Sequence, residues 1–345
     1  MNHRLLKLLQ SGLPLAAAFF VTPSLAHAGD ARFSIIEEND SILFDSDRYY
    51  TQGLQLNYLG ETVAPTSSWA APFDFLSDNV GNIGVFPSGA HIDRRYELTF
   101  GQEIYTPSNI HRNHPDTDDR PYAGWLYGGI GLIQDTDHRQ LDHLELQLGV
   151  VGPASFANQV QNDWHQFIGV QEAKGWNNQI SNEPGVMLSY EHKWRFLQAF
   201  GNGFAVDAIP ELGATVGNVM TYAEASTMLR FGRNLEADYG PERMRPALSG
   251  TNYFDSSALD GPFGFYFYAG AQGRAVARNI FLDGNTFEDS SSVDKKVFVG
   301  DLIGGLSLFW SDRVKLDTSV IYRSKEFSGQ QDNEKYAGFN LTFGL

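Results

Sequence analysis

The chain has 345 residues and carries 41 acidic against 25 basic side chains, a formal net charge of −16. That balance speaks against a nucleic-acid partner, which calls for a basic face. The absence of cysteine removes disulfides, thiolate metal sites and thiol nucleophiles. Aromatic residues make up 13% and charged residues only 19%. Such a chain is not disordered, and it is poorer in charge than a typical soluble globule, of which about a quarter is charged.

Residues 1–28 read as a secretory signal peptide. Arg4 and Lys7 precede an apolar run from Leu13 to Val21, and Ala26-His27-Ala28 forms a small-x-small cleavage site. The run is short and broken by Pro14 and Pro23, unlike a membrane anchor. The mature domain, residues 29–345, has no apolar stretch near 18 residues, so no helical span is expected after export.

From there the pattern is alternation with period two. Twelve segments show it: 34–44, 50–60, 94–106, 122–135, 142–152, 184–198, 203–216, 218–232, 263–277, 296–311, 314–325 and 335–345. In 142–152, for example, Leu144, Leu146 and Leu148 share one face while His143, Glu145 and Gln147 share the other. Segments of about ten residues, apolar outward and polar or Gly inward, predict an all-β fold, a transmembrane antiparallel β-barrel of about twelve strands. A soluble barrel or sandwich would also alternate; export, the even count and the low charge favour the membrane form. One departure is the final Leu345, where many such barrels end in Phe. Tyr49, Tyr50, Tyr105, Tyr122, Trp125, Trp194 and Trp310 stand near segment ends, as interfacial rings would. An even strand number places both termini on the periplasmic side. Connections 106–121, 153–183 and 278–295 then fall on the outer face, and 61–93 and 233–262 on the inner side, where no chemistry is read.

One connection reads as helix. Residues 154–173 place Phe156, Val160, Trp164 and Phe167 on one apolar stripe, with Asn158, Gln161 and His165 on an adjacent polar face. The stripe must pack on the barrel wall or lie at the lipid interface, which puts His165 at the seam between helix and wall. A hydrogen-bonded structural His and a water-activating base both fit that position. A second cluster, Glu37-Glu38-Asn39-Asp40 followed by Asp45-Ser46-Asp47, offers oxygen ligands for a hard cation, or polar filling of a lumen. The third, His111-x-x-His114 among Asp116, Asp118 and Asp119, suits a transition metal or a solvated loop. No G-x-S-x-G elbow, P-loop or paired-Cys motif occurs.

Taken together, these clusters resemble the outer-membrane lipid A 3′-O-deacylase (LpxR-type) family. The matching residues are Glu38-Asn39-Asp40, Asp47 to Gly53, Gly101-Gln102, Ile104 to Pro107 and Asp119 to Trp125. They continue through Gly149 to Pro153, Val160-Gln161-Asn162, His165, Gly175 to Ile180 and Asn182-Glu183-Pro184. The resemblance covers most of 33–195; beyond it the chain matches only as barrel. It implies a Gram-negative outer-membrane hydrolase that removes the 3′-linked acyl chains of lipid A, the anchor of lipopolysaccharide in the outer leaflet, with calcium as cofactor. Carried over, His165 is the base, and Asn39, Asp40 and Thr51 surround the metal and the oxyanion, with Asp40 as metal ligand. Gln161 and Arg112 contact substrate, and Arg112 stands where the family's best-known branch has Lys. An acidic position of that branch is Gln171 here, beside Glu172. Arg112 and Arg120 are expected to face lipid A phosphates. The rivals are a non-catalytic barrel of the same family, a passive channel, and an esterase acting on another lipid.

Overall fold

The structure, a computed structural model, describes residues 31–44, 46–248 and 250–345; the expected signal peptide lies outside them. Thirteen strands form one antiparallel sheet: β1 Arg32–Asn39, β2 Tyr49–Leu59, β3 Ile92–Thr106, β4 Ala123–Thr136, β5 Gln140–Val151 and β6 Glu183–Trp194. β7 Phe196–Gly201, β8 Phe204–Gly217, β9 Met220–Arg233, β10 Phe263–Asn279, β11 Phe298–Trp310, β12 Val314–Arg323 and β13 Glu334–Gly344 complete it. β1 pairs with β13 and β6 with β8, so twelve strands close into a barrel with no free edge. Closure satisfies every strand within the sheet, the condition for crossing lipid.

Alternation decides which side chain meets lipid. Leu98, Phe100, Ile130, Leu148, Leu229, Phe231, Phe267 and Leu302 are all exposed on the outer wall. Their neighbours along the strands, such as Gln147, Arg230, Gln272 and Asp301, are buried in the lumen. This is the apolar-out, polar-in pattern of a membrane barrel.

Three strand expectations shift. The first strand stops at Asn39 rather than 44, because the Asn39 side-chain oxygen accepts from Ser41 N (2.8 Å) and Ser41 Oγ (2.6 Å) and turns the chain into α1, Ser41–Phe44. Segment 184–198 breaks at Arg195. β7 continues past that break along the same edge of β8 and in the same register as β6, closing the hairpin as a strand additional to the twelve. The interfacial aromatics divide by parity: Trp310 is exposed, but Tyr50, Tyr105 and Trp125 point into the lumen, and Tyr49 and Tyr122 are fully buried.

Connection 233–262 is more than a periplasmic loop. Its central part climbs into the lumen and fills it. Arg243 pairs with Glu38 (2.8 Å), Arg245 with Glu145 (2.9 Å) and with Glu191, and Glu242 accepts from Ser34 Oγ (3.3 Å) and from Asn57. A polar cavity of about 20 Å³ beside this plug, lined by Gln55, Glu97, His143 and Glu145, has room for roughly a water or two. An open channel does not fit this interior. Connection 61–93 carries α2, Ala71–Val80.

Candidate functional site

The outer helix is α3, Ala157–Ile168, shorter than 154–173. It ends at Gly169, whose φ of +73° is the left-handed cap that glycine adopts without cost. The helix packs on β3 and β4. Gly124 allows the approach: a Cβ there would lie 2.1 Å from Ser155 Oγ and 2.3 Å from Ala157 Cβ. Gln102 Nε2 donates to Ser155 O (2.6 Å) and fastens the helix entry to the wall. Behind the helix, Ile104, Ile110, Tyr122, Ala157, Ala173 and Trp176 form a small apolar core of their own. The return segment is pinned by Ala173 N to Asn162 Oδ1 (2.8 Å) and Lys174 N to Ile110 O (2.8 Å).

The polar face turns inward and the apolar stripe outward. Gln161 and His165 are buried, whereas Phe156, Val160 and Phe167 are exposed toward the lipid. The stripe therefore takes the interfacial of its two expected positions, and His165 sits at the seam. Its Nδ1 faces the Gln171 carbonyl oxygen at 2.8 Å, and its Nε2 lies 3.0 Å from Asp47 Oδ2. Both oxygens only accept, so with both contacts made the ring is an imidazolium that donates from each nitrogen, and Nε2 becomes a lone-pair base only when Asp47 gives up that contact. Burial pulls the His165 pKa down, but the hydrogen bond and charge of Asp47 outweigh it, with help from the Gln171 carbonyl, and the net shift is upward. Gln171 thus meets the His with its backbone; the neighbouring Glu172 accepts instead from Gln166 Nε2 (2.7 Å).

Asp47 is the hub. Its other oxygen accepts from Gln161 Nε2 (3.0 Å), and Gln161 Oε1 accepts from Trp176 Nε1 (2.8 Å). Both ends of the Gln161 amide thereby have a partner within the protein, which positions Asp47, and the amide nitrogen keeps one further hydrogen. The residues flanking Asp47 hold Asp40: Ser46 Oγ (2.7 Å) and Arg48 N (2.8 Å) both donate to Asp40 Oδ2. Asp40 Oδ1 is buried and has no partner. Burial pushes the Asp40 carboxyl well above the usual range, against the lowering by those two donors. An orphaned buried carboxylate oxygen, with Asp47 close enough to repel it, suits a hard cation, and the oxygen donors fit calcium.

Asn39 and Thr51 lie at the same corner. Asp40 N donates to Thr51 O (3.4 Å), and Thr51 Oγ1 is 2.8 Å from Thr106 Oγ1. The Asn39 carbonyl is occupied by Ser41, leaving its amide nitrogen as the donor it can present. Arg112 stands apart on the exposed rim, paired with Asp116. Arg120 is not available to a phosphate: it is fully buried over the Tyr105 ring (4.6 Å) and 3.4 Å from Glu326. His111 and His114 are exposed on the outer loop, and among the described residues neither belongs to a cluster with metal-ligand spacing. In the sequence Asp47 stands only as one oxygen donor of the second cluster and Trp176 has no role, although both stand in family-like motifs; they lie between the strands, where no periodicity marks a partner.

A family model described as "Outer membrane protein LpxR" matches residues 13–345. Among solved structures, LpxR from Salmonella typhimurium superposes with a TM-score of 0.72 at 20% identity, covering 91% of this chain and 100% of that one. The β domain of the Bordetella autotransporter BrkA gives a TM-score of 0.44 at 13% identity, covering 92% and 100%. No curated protein sequence matches the chain.

Proposed function

This chain belongs to the LpxR family of outer-membrane proteins, and from that premise we propose that it hydrolyses an acyl ester of lipid A, the 3′-linked chains, in the outer leaflet. The observation that carries the reading is His165, buried where α3 meets the outer wall, with Nδ1 on the Gln171 carbonyl and Nε2 turned to the Asp47–Asp40 corner. A site on the outside of the wall, flanked by the exposed Phe156, Val160 and Phe167, lets a lipid ester arrive without leaving the membrane.

In the resting protein Asp47 occupies Nε2. A reacting water takes that position, loses a proton to Nε2 and attacks the acyl carbonyl. The imidazolium then returns the proton to the departing sugar oxygen as the C–O bond breaks, releasing a free fatty acid. General-base action of this kind contributes about 10²–10⁴-fold. Asp47 and the Gln171 carbonyl stabilise the imidazolium between the two proton transfers. Asp40, with Asp47, would hold calcium, which when bound supplies positive charge where the oxyanion develops. The Asn39 amide and the Thr51 hydroxyl border the same corner as hydrogen-bonding groups. Arg112, on the rim, is placed to meet a headgroup phosphate once it exchanges Asp116 for it.

The test is mass spectrometry of lipid A from a Gram-negative host expressing the chain, His165→Ala or Asp40→Asn, with and without a calcium chelator. The wild type should remove the mass of the 3′-linked chains, and each variant and the chelator should abolish that change. Unaltered lipid A, both in membranes and with folded protein in detergent, would overturn the proposal in favour of a non-catalytic barrel.

A further inference from the structure

At the opposite end of the barrel, on the periplasmic rim, three side chains from three distant segments converge. We propose that His91, His138 and Asp255 form a divalent transition-metal site, with zinc the ion their donor set suits. Their ligand atoms all lie within 4.8 Å of one another. The two imidazole rings face each other at 4.5 Å between centroids, 32° from parallel, and His138 Nε2 is 3.7 Å from Asp255 Oδ2.

What distinguishes this cluster from chance neighbours is the support behind each ligand. His138 Nδ1 lies 2.8 Å from Asp135 Oδ2 in an ion-pair contact without hydrogen-bond geometry, which leaves Nε2 as the nitrogen on the side of Asp255. Asp135 is itself fully buried and held by Tyr239 OH (2.7 Å) and Tyr253 OH (2.9 Å). Carboxylate–histidine–metal arrangements of this kind orient the ring and raise its basicity. Asp255 Oδ1 accepts from Ser257 N (2.8 Å), which commits one oxygen and leaves Oδ2 for the ion. His91 is placed by a two-way clasp: its N–H donates to Asp137 Oδ1 (2.8 Å), and Asp137 N donates to His91 O (2.9 Å).

Two imidazole nitrogens and one carboxylate oxygen are a borderline donor set that favours zinc over calcium or magnesium. Bonds of about 2.0–2.1 Å in a tetrahedron put ligand atoms about 3.3 Å apart. The exposed His91 ring supplies most of the remaining contraction by rotating. Three protein ligands leave a fourth position for water. The three ligands come from the entry to β3, the turn between β4 and β5, and the segment where the lumen plug leaves the barrel. Zinc would tie the exit of the plug to the wall; the site is independent of the outer one and of its chemistry.

The experiment uses the full chain folded in detergent and stripped of metal. Zn²⁺ is titrated by calorimetry into the wild type, His91→Ala/His138→Ala, Asp135→Asn, and His111→Ala/His114→Ala as a control. One Zn²⁺ per wild-type chain is expected, retained by the control, lost in the rim double variant and weakened about 10–100-fold by Asp135→Asn, which touches no metal. Hydrogen exchange in residues 250–258 should slow on loading in the wild type alone. Absence of stoichiometric binding by the wild type, or equal binding by the rim double variant, overturns the proposal. Heat-modified gel migration verifies each fold. Should a variant not fold, electron paramagnetic resonance of Cu²⁺ on the wild type must show two imidazole nitrogens, and any other number overturns the site.

Discussion

Gly124→Ala should displace α3 while leaving the barrel intact. The added Cβ would stand 2.3 Å from Ala157 Cβ and 2.1 Å from Ser155 Oγ. Carbon atoms settle at about 3.5–4.0 Å, so the start of α3 has to retreat by roughly 1.2–1.7 Å. Ser155 cannot absorb this alone, because its hydroxyl is bonded to Gly152 O (2.6 Å) and its carbonyl to Gln102 (2.6 Å). Overpacking of this kind costs about 1–3 kcal/mol. It falls on helix docking, since the β3–β4 and β4–β5 ladders are untouched. A misplacement near 1 Å can lower a catalysed rate about 10²-fold, so the expected loss is of that order. The assay is the rate of fatty-acid release from lipid A in detergent, with heat-modified gel migration as the check on the barrel and hydrogen exchange over 157–168 as the check on the helix. Gly128→Ala is the control, its nearest neighbour being Thr99 O at 3.7 Å. A folded Gly124→Ala protein with wild-type rate and unchanged exchange in α3 would refute the reasoning.

Three further outcomes can be measured. The rate should fall as pH drops through the raised pKa of His165, because protonation removes the base; Asp47→Asn removes the main raising interaction, so the acid limb of kcat/KM should move to lower pH. Arg245→Ala leaves buried Glu145 without its ion-pair partner and Glu191 with Lys193 alone (3.0 Å), and urea unfolding should show a loss of about 3–5 kcal/mol. In planar bilayers the intact chain should not conduct ions, since Arg243, Arg245 and their segment fill the lumen; steady open-channel current would contradict the plugged interior.

Much of the wall was legible because a strand repeats every two residues. Leu144, Leu146 and Leu148 could only share a face, and the barrel ends of most segments fell within a residue or two of those expected. Where the pattern failed, a side chain had intervened. Asn39 capped its own turn and ended β1, and Arg195 interrupted the sixth strand as it turned inward to bond His138 O and Glu236 O at 3.1 Å each. The aromatics near strand ends looked alike in sequence. Parity with the lumen sent Tyr50, Tyr105 and Trp125 inside, and only the closed sheet fixes that parity.

The sequence by itself determined the barrel, its strand count, the helix in connection 153–183 and His165 as the titratable residue on that helix's polar face, since all of these rest on local periodicity or on motifs read in order. Tertiary structure alone decided the rest. An amphipathic helix states that it has two faces but not which one meets the wall; the close approach at Gly124 and the wall's own polar corner turned Gln161 and His165 inward. Asp47, Trp176 and the carbonyl of Gln171 became partners of the site through loops that no period marks. The plug is likewise invisible in sequence, because a polar, Pro- and Gly-rich segment looks the same in water as in a lumen. What separates the two is the presence of Glu38, Glu145 and Glu191 on strands far away in the chain, waiting for Arg243 and Arg245.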